Sequence, residues 1–338
     1  MSAMPIQAPF LFFSALPKPP SELSKPFRNW SYYNPSGGFV VPPNAGNFRG
    51  QTLTDTAVVF EKAEEDTLPG RWRMTYLFFN GSDPGYEVAL AISDDLLHWS
   101  FNRGGADGIV FPRSANRSAY DFGGVTLGGL HFTSAGLRAR RTLRKAGTPP
   151  AYHGLYGCYP SRAGYEAGDG GQGMAQSADG VSWTRVSTSV PALAGSSPAS
   201  PAWEDKVVYQ PYLVEHGSTF YDFYNARGTN RFGATAEQSG FATLAAAEFP
   251  GVQPSGSLWK ADPRSPVLPS GPKGSDDTAM ASDPKVYWDE QQQVWATFYF
   301  GLGDGTAGHA VIMMAFSTDL ITWEKDPAPL SPSAGTLG

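Results

Sequence analysis

Three aspartates open short apolar stretches of one pattern: Asp55 in TDTAVVF (54–60), Asp121 in YDFGGVTL (120–127) and Asp283 in SDPKVYW (282–288). A fourth stretch, YQPYLVE (209–215), carries Gln210 at the aligned place. Two carboxyl groups sharing a site push their pKa values apart, because like charges resist ionising together. One then keeps a proton to give and the other is free to accept one, which is the basis of general acid–base chemistry. Two glutamates offer a further carboxyl: Glu204 in PAWEDKVVYQPYL, and Glu166 in the glycine-rich RAGYEAGDGGQG. Each residue also has a plain structural reading. An aspartate caps a strand start, Asp283-Pro284 suits a first strand position, and either glutamate can be a surface residue.

The elements that must position these groups repeat. The phrase AISDDLLHW (91–99) recurs as AQSADGVSW (175–183) and AFSTDLITW (315–323). Ahead of each lies an aromatic strand, RWRMTYLFFNG (71–81), HGLYGCYP (153–160) or QVWATFYFGLG (293–303), and ahead of that an aspartate-opened strand. A degraded copy reads YQPYLVE, then STFYDFYNARG (218–228), then FGATAEQSGFATL (232–244), with its tryptophan lost. Ser93, Ser177 and Ser317, with Asp95, Asp179 and Asp319, are of the types that bond turn backbone. Trp99, Trp183 and Trp323 offer large aromatic area for packing. The phrase is therefore scaffold, and it aligns the chain.

Four antiparallel strands per unit, repeated radially, make an all-β propeller, whose blades protect one another's edges. The visible repeats cover about 50–110, 115–190, 200–250 and 275–330, within a single domain over 27–338 that follows an N-terminal extension, 1–26. FRNWSYYNPSGGFVVPPNAGNF (27–48) has strand-like and turn-like pieces and is expected to complete a fifth blade. Radial symmetry then brings Asp55, Asp121 and Asp283 towards one axis.

Composition agrees with an all-β chain: 338 residues contain 39 Gly, 29 Pro, 9 Trp, 15 Tyr and 21 Phe, a mixture of turn formers and strand formers. The net charge of −6 makes nucleic acid a poor partner, since phosphate binding needs a basic face. The basic run RARRTLRK (138–145) reads as a solvated loop or insertion. One cysteine, Cys158, excludes an internal disulfide and a cysteine-built zinc site. The five histidines lack metal-ligand spacing, and no apolar run reaches transmembrane length. The N-terminus has no basic region ahead of its apolar patch, so a cytoplasmic location is expected, with secretion left open.

The A-x-S-x-D-L-x-x-W phrases, SDPKVYWD with FYFGLGDG, and YQPYLVEHGSTFYDFYNA together resemble the five-bladed propeller glycoside hydrolases of families 43, 62, 32 and 130. The resemblance spans roughly residues 50–325 as a repeat style. The sialidase repeat S-x-D-x-G-x-x-W is related, but two copies here have leucine where its glycine falls. In the resembled enzymes three carboxylates at the mouth of the axis do the work. That resemblance implies Asp55 as base or nucleophile, Asp121 as the residue tuning the acid, and Glu204, with Glu166 as competitor, as general acid; Asp283 is a credible alternative member. Glycoside cleavage requires such a set, because one carboxylic acid protonates the leaving oxygen while another activates water or attacks carbon. Trp30, Tyr32, Asn34, Trp203, Tyr209, Gln210 and Asn225, with Glu166, are the expected sugar contacts. No cofactor is expected, although a calcium ion sometimes occupies the axis of the resembled enzymes. The expected partner is a carbohydrate, with no nucleic acid or membrane. Gln210 keeps a non-catalytic sugar-binding propeller open, and Arg227 and Arg231 keep open a phosphorylase.

Overall fold

The computed structural model describes residues 15–28, 52–60, 72–80, 83–103, 109–132, 152–161, 169–178, 181–195, 197, 199–303 and 310–330. Within them the chain is almost wholly β. The first unit comprises β1 (Thr52–Phe60), β2 (Trp72–Asn80) and β3 (Asp83–Ser93), with β4 (Ser100–Arg103) and β5 (Ile109–Phe111) both pairing with β3. The second is β6 (Gly124–Phe132), β7 (Tyr152–Tyr159), β8 (Gly171–Ser177) and β9 (Trp183–Arg185). The third is β10 (Val207–His216), β11 (Thr219–Thr229) and β12 (Thr235–Ala245). A short hairpin of β13 (Val252–Gln253) and β14 (Gly256–Ser257) follows, and then β15 (Lys260–Ala261), which pairs with β12. The fourth is β16 (Met280–Asp289), β17 (Val294–Leu302), β18 (Val311–Ser317) and β19 (Glu324–Lys325). Neighbours within each unit run antiparallel, and one parallel bridge, Glu237 to Met280, ties the third unit to the fourth.

The core lies between units. Val88, Leu90 and Phe111 of the first pack with Val125, Tyr156 and Tyr159 of the second. Leu155 and Met174 of the second meet Phe220 and Tyr224 of the third, and Phe223 and Phe241 of the third meet Val286 and Trp295 of the fourth. Burying one such side chain contributes about 1.5–3 kcal/mol, so stacking sheet on sheet is the main source of stability. It also explains β7, YHGLYGCY, which is buried along its whole length. A strand covered on both faces reads as a continuous apolar run rather than an alternation.

The repeated phrase forms the turn its residues favour. Ser93 Oγ accepts from Leu96 N at 2.9 Å, and Asp95 Oδ1 accepts from Leu97 N and His98 N at 2.9 and 2.8 Å. Ser317 and Asp319 repeat this with Leu320, Ile321 and Thr322. Leu96 and Leu320 both have φ of 66°, the left-handed region where the related repeat carries glycine. Trp323 then packs edge-on to Phe223, 5.9 Å between centroids, across the third and fourth units.

A helical turn, α1 (Pro20–Leu23), and the 3₁₀ turn Lys25–Arg28 dock on the fourth unit. Leu23 is buried with Val294, Ala296, Met314 and Phe316, and Arg28 Nη2 pairs with Asp326 Oδ2 at 2.6 Å.

Candidate active site

Each innermost strand breaks register once against its neighbour. The shifts fall between Thr54 and Thr56, Leu127 and Gly129, Val208 and Pro211, and Ser282 and Lys285. An extra residue at such a bulge turns a side chain out of the ladder, which is why bulges gather near functional sites. Asp55, Gln210 and Asp283 occupy three of them, as the repeat alignment expects. In the second unit the position belongs to Gly128, and Asp121 lies in the turn before β6. The alignment of Asp121 with the other three is thus corrected: YDFGGVTL contains the approach to the strand, not its bulge. Asp283 has φ of 52°, a conformation that costs a non-glycine residue on the order of 1–3 kcal/mol and persists where the surroundings impose it. It is part-exposed. The side chain of Asp55 lies outside the described residues, as do Trp30, Tyr32, Asn34, Glu166 and the basic run 138–145.

A second repeated feature stands beside the bulges. The second strand of every unit carries a tyrosine at or across from the bulge, Tyr76, Tyr156, Tyr224 or Tyr299, each 2% exposed or less. A buried hydroxyl needs a partner, and in three units it donates to a carboxylate placed three residues before the innermost strand. Tyr156 Oη donates to Asp121 Oδ2 at 3.4 Å, Tyr224 Oη to Glu204 Oε2 at 2.7 Å, and Tyr299 Oη to Asp277 Oδ2 at 3.1 Å. The fourth strand adds a cation in two cases. Arg185 on β9 pairs with Asp121, and Lys325 Nζ on β19 lies 2.6 Å from Asp277 Oδ2. Asp121, Glu204 and Asp277 are therefore equivalent positions, a relation hidden in sequence because Asp277, in GSDDTAM, has glutamate as one counterpart.

Their electrostatics differ. Burial raises the Glu204 carboxyl above the ordinary glutamate range, opposed by the hydrogen bond from Tyr224. Burial lowers Lys325, opposed by Asp277. The Asp121 carboxylate is enclosed by Arg185 and Tyr156.

Around Glu204 the third unit gathers further polar groups. Arg227 Nη2 lies 2.5 Å from Glu237 Oε1, directly across the β11–β12 ladder, and its guanidinium sits 5.4 Å from the Tyr209 ring centroid. Asn225 Nδ2 donates to Glu237 Oε2 at 3.5 Å, while its buried Oδ1 has no hydrogen-bond partner among the described residues. The sequence pointed to Asn225, Tyr209 and Gln210 as sugar contacts and did not point to Glu237. The available signal was a glutamate, beside a glutamine, in a strand of mostly small residues. Trp203 is enclosed: its ring lies 5.5 Å from Tyr224, and its Cη2 and backbone crowd Gly240 and Gly228. A tryptophan packed this way offers no open face to a sugar, which corrects that expectation. Among the described residues no group of three or more His, Cys, Asp or Glu side chains could hold a metal ion. No helix among them is long and apolar enough to cross a membrane.

No protein-family model matches the chain, and no curated protein sequence matches it. Solved structures do. BT0996 in its RGII complex is 22% identical with a TM-score of 0.62, covering 83% of this chain and 75% of that protein. A thermostable family 43 glycoside hydrolase is 15% identical with a TM-score of 0.53, covering 87% and 82%. A family 117 glycoside hydrolase of the marine bacterium Zobellia galactanivorans is 14% identical with a TM-score of 0.52, covering 83% and 71%. At such identities the likeness is one of fold: the chain folds as these glycoside hydrolases do.

Proposed function

We propose that this protein is a glycoside hydrolase acting at the mouth of a five-bladed propeller, with Glu204 as proton donor and Asp55 as base or nucleophile. The observation that carries the reading is the Glu204 carboxyl, which burial raises at the approach to an innermost strand. Burial shifts the carboxyl towards holding its proton, which is the direction a general acid needs. Asp283, bulged and part-exposed, is the second carboxylate of the axis and orients the sugar with Gln210 and Asn225. Asp121, ion-paired to Arg185, fixes the opening of β6 and acts on the site through that position. Chain connection supports the fifth blade. Arg28 is anchored on the fourth unit and Thr52 begins the first, so residues 29–51, outside the described residues, connect the two. The fourth unit also leaves Phe300 and Ile312, cross-strand partners, exposed.

A panel of nitrophenyl furanosides and pyranosides assayed with wild type, Asp55→Asn and Glu204→Gln tests this. Asp55→Asn should abolish turnover. Glu204→Gln should lose about 10²–10⁴-fold, with the smallest loss on the best leaving groups, which need no protonation. Wild-type turnover in both variants would sink the assignment, and no hydrolysis of any glycoside would favour a sugar-binding propeller. The phosphorylase alternative is weakened by Arg227, whose charge is matched by Glu237.

A further inference from the structure

We propose that the tip of the β11–β12 hairpin is a subsite for an anionic sugar, with Arg231 and Lys206 taking the carboxylate of a uronate and Phe232 carrying its ring. The inference rests on the carbohydrate reading above and deepens it. The turn is built to be stiff. Asn230 Oδ1 accepts from Phe232 N at 3.0 Å and Ala234 N at 2.9 Å, and its Nδ2 donates to the buried Ser270 Oγ at 2.9 Å. Gly233, at φ of 80°, supplies the left-handed residue the turn requires.

This held turn presents Phe232 at 53% exposure, the most exposed large apolar side chain among the described residues. A single exposed ring is ordinary on a protein surface; here the turn that carries it is held, so a ligand meets the ring without having to order the loop. The Arg231 guanidinium lies 4.8 Å from that ring's centroid. Lys206, which belongs to the approach of β10, reaches Thr235 Oγ1 at 2.5 Å at the foot of the same hairpin.

The balance of charge points to the ligand. Arg227, on β11 four residues before Arg231, is matched by Glu237. Among the described residues Arg231 and Lys206 touch a ring and a hydroxyl, and no carboxylate. Two positive charges at one hairpin end with no carboxylate partner among the described residues, in a chain of net charge −6, favour an anionic group. A planar guanidinium takes a carboxylate in a bidentate fork, and an aromatic face beside it suits a sugar ring. The location is beside the chemistry. Lys206 N donates to Arg227 O at 3.1 Å, Gly228 abuts the Trp203 backbone, and Lys206 follows Glu204 by two residues.

The test is calorimetric titration of the intact chain with oligogalacturonates and glucuronate-bearing xylo-oligosaccharides, each paired with its carboxyl-reduced form. At least one acidic form should bind about tenfold or more tighter than its reduced counterpart. Arg231→Ala and Lys206→Ala should each shrink that gap several-fold, Phe232→Ala should weaken both forms, and added salt should narrow the difference. Equal affinity for acidic and reduced forms, or a gap unchanged in both charge variants, overturns the subsite while leaving carbohydrate binding intact. Binding of no saccharide overturns the carbohydrate reading itself. Tight inorganic phosphate binding lost in Arg231→Ala, without preference for acidic sugars, overturns the uronate in favour of a phosphate ligand.

Discussion

Replacing Asp121 with asparagine separates a carboxylate that fixes structure from one that performs chemistry. Asp121 is 1% exposed. It faces the Arg185 guanidinium, which also donates to Pro112 O at 2.7 Å and lies 4.6 Å from the Phe111 centroid. It accepts from Tyr156 Oη, which in turn meets Tyr120 Oη at 2.9 Å. Asparagine keeps the size and an acceptor oxygen but removes the charge, leaving a part-buried guanidinium unmatched. Breaking a buried ion pair from one side costs about 3–5 kcal/mol. The retained acceptor and Pro112 place this change near the lower end, about 3 kcal/mol. At about 2–4 °C per kcal/mol, the melting temperature should fall by about 6–12 °C. Urea unfolding should show an earlier midpoint at unchanged slope. Adding Arg185→Met should restore part of the loss, because it removes the stranded charge. A variant as stable as wild type would refute the account of this contact, and loss of turnover in that stable variant would make Asp121 catalytic.

Glu204 sets a pH dependence of known sign. Its folded-state pKa lies above the ordinary value near 4.5, so between the two values the folded protein binds more protons than the unfolded chain. Stability is therefore full below about 4.5 and falls as pH rises through the folded-state pKa; unfolding midpoints of wild type and Glu204→Gln should diverge across that window, and parallel curves would contradict it. The two left-handed leucines should respond in opposite directions to glycine. Leu96 is 39% exposed, so Leu96→Gly relieves about 1 kcal/mol of backbone strain at little packing cost, whereas Leu320 is wholly buried and Leu320→Gly should cost about 2–5 kcal/mol. Thermal unfolding of the pair measures both, and a shift of the same sign in each would reject the shared-turn argument.

Much of the scaffold was legible because its forces are local. The serine–aspartate turn closes with hydrogen bonds spanning two or three residues, so the phrase alone fixes the turn. Strand order and the antiparallel units followed from apolar runs and turn residues, and Asp55, Gln210 and Asp283 were aligned because each precedes its stretch's apolar residues by the same spacing. Glycine at 128 gave no such signal, and Asp121 took its place in the alignment.

What the chain order could not convey was which side chains face one another across sheets. Asp121, Tyr156 and Arg185 come from three separate strands or their approaches, as do Asp277, Tyr299 and Lys325, and only stacking makes them contacts. Trp203 reads as a sugar platform beside a glutamate until the third unit closes over it. Arg227 and Glu237 become a pair only in the β11–β12 register. Sequence by itself determined the repeats, the turns and the residue types available for chemistry. Tertiary structure decided burial and partnership, because both depend on what the neighbouring unit brings within a few ångströms.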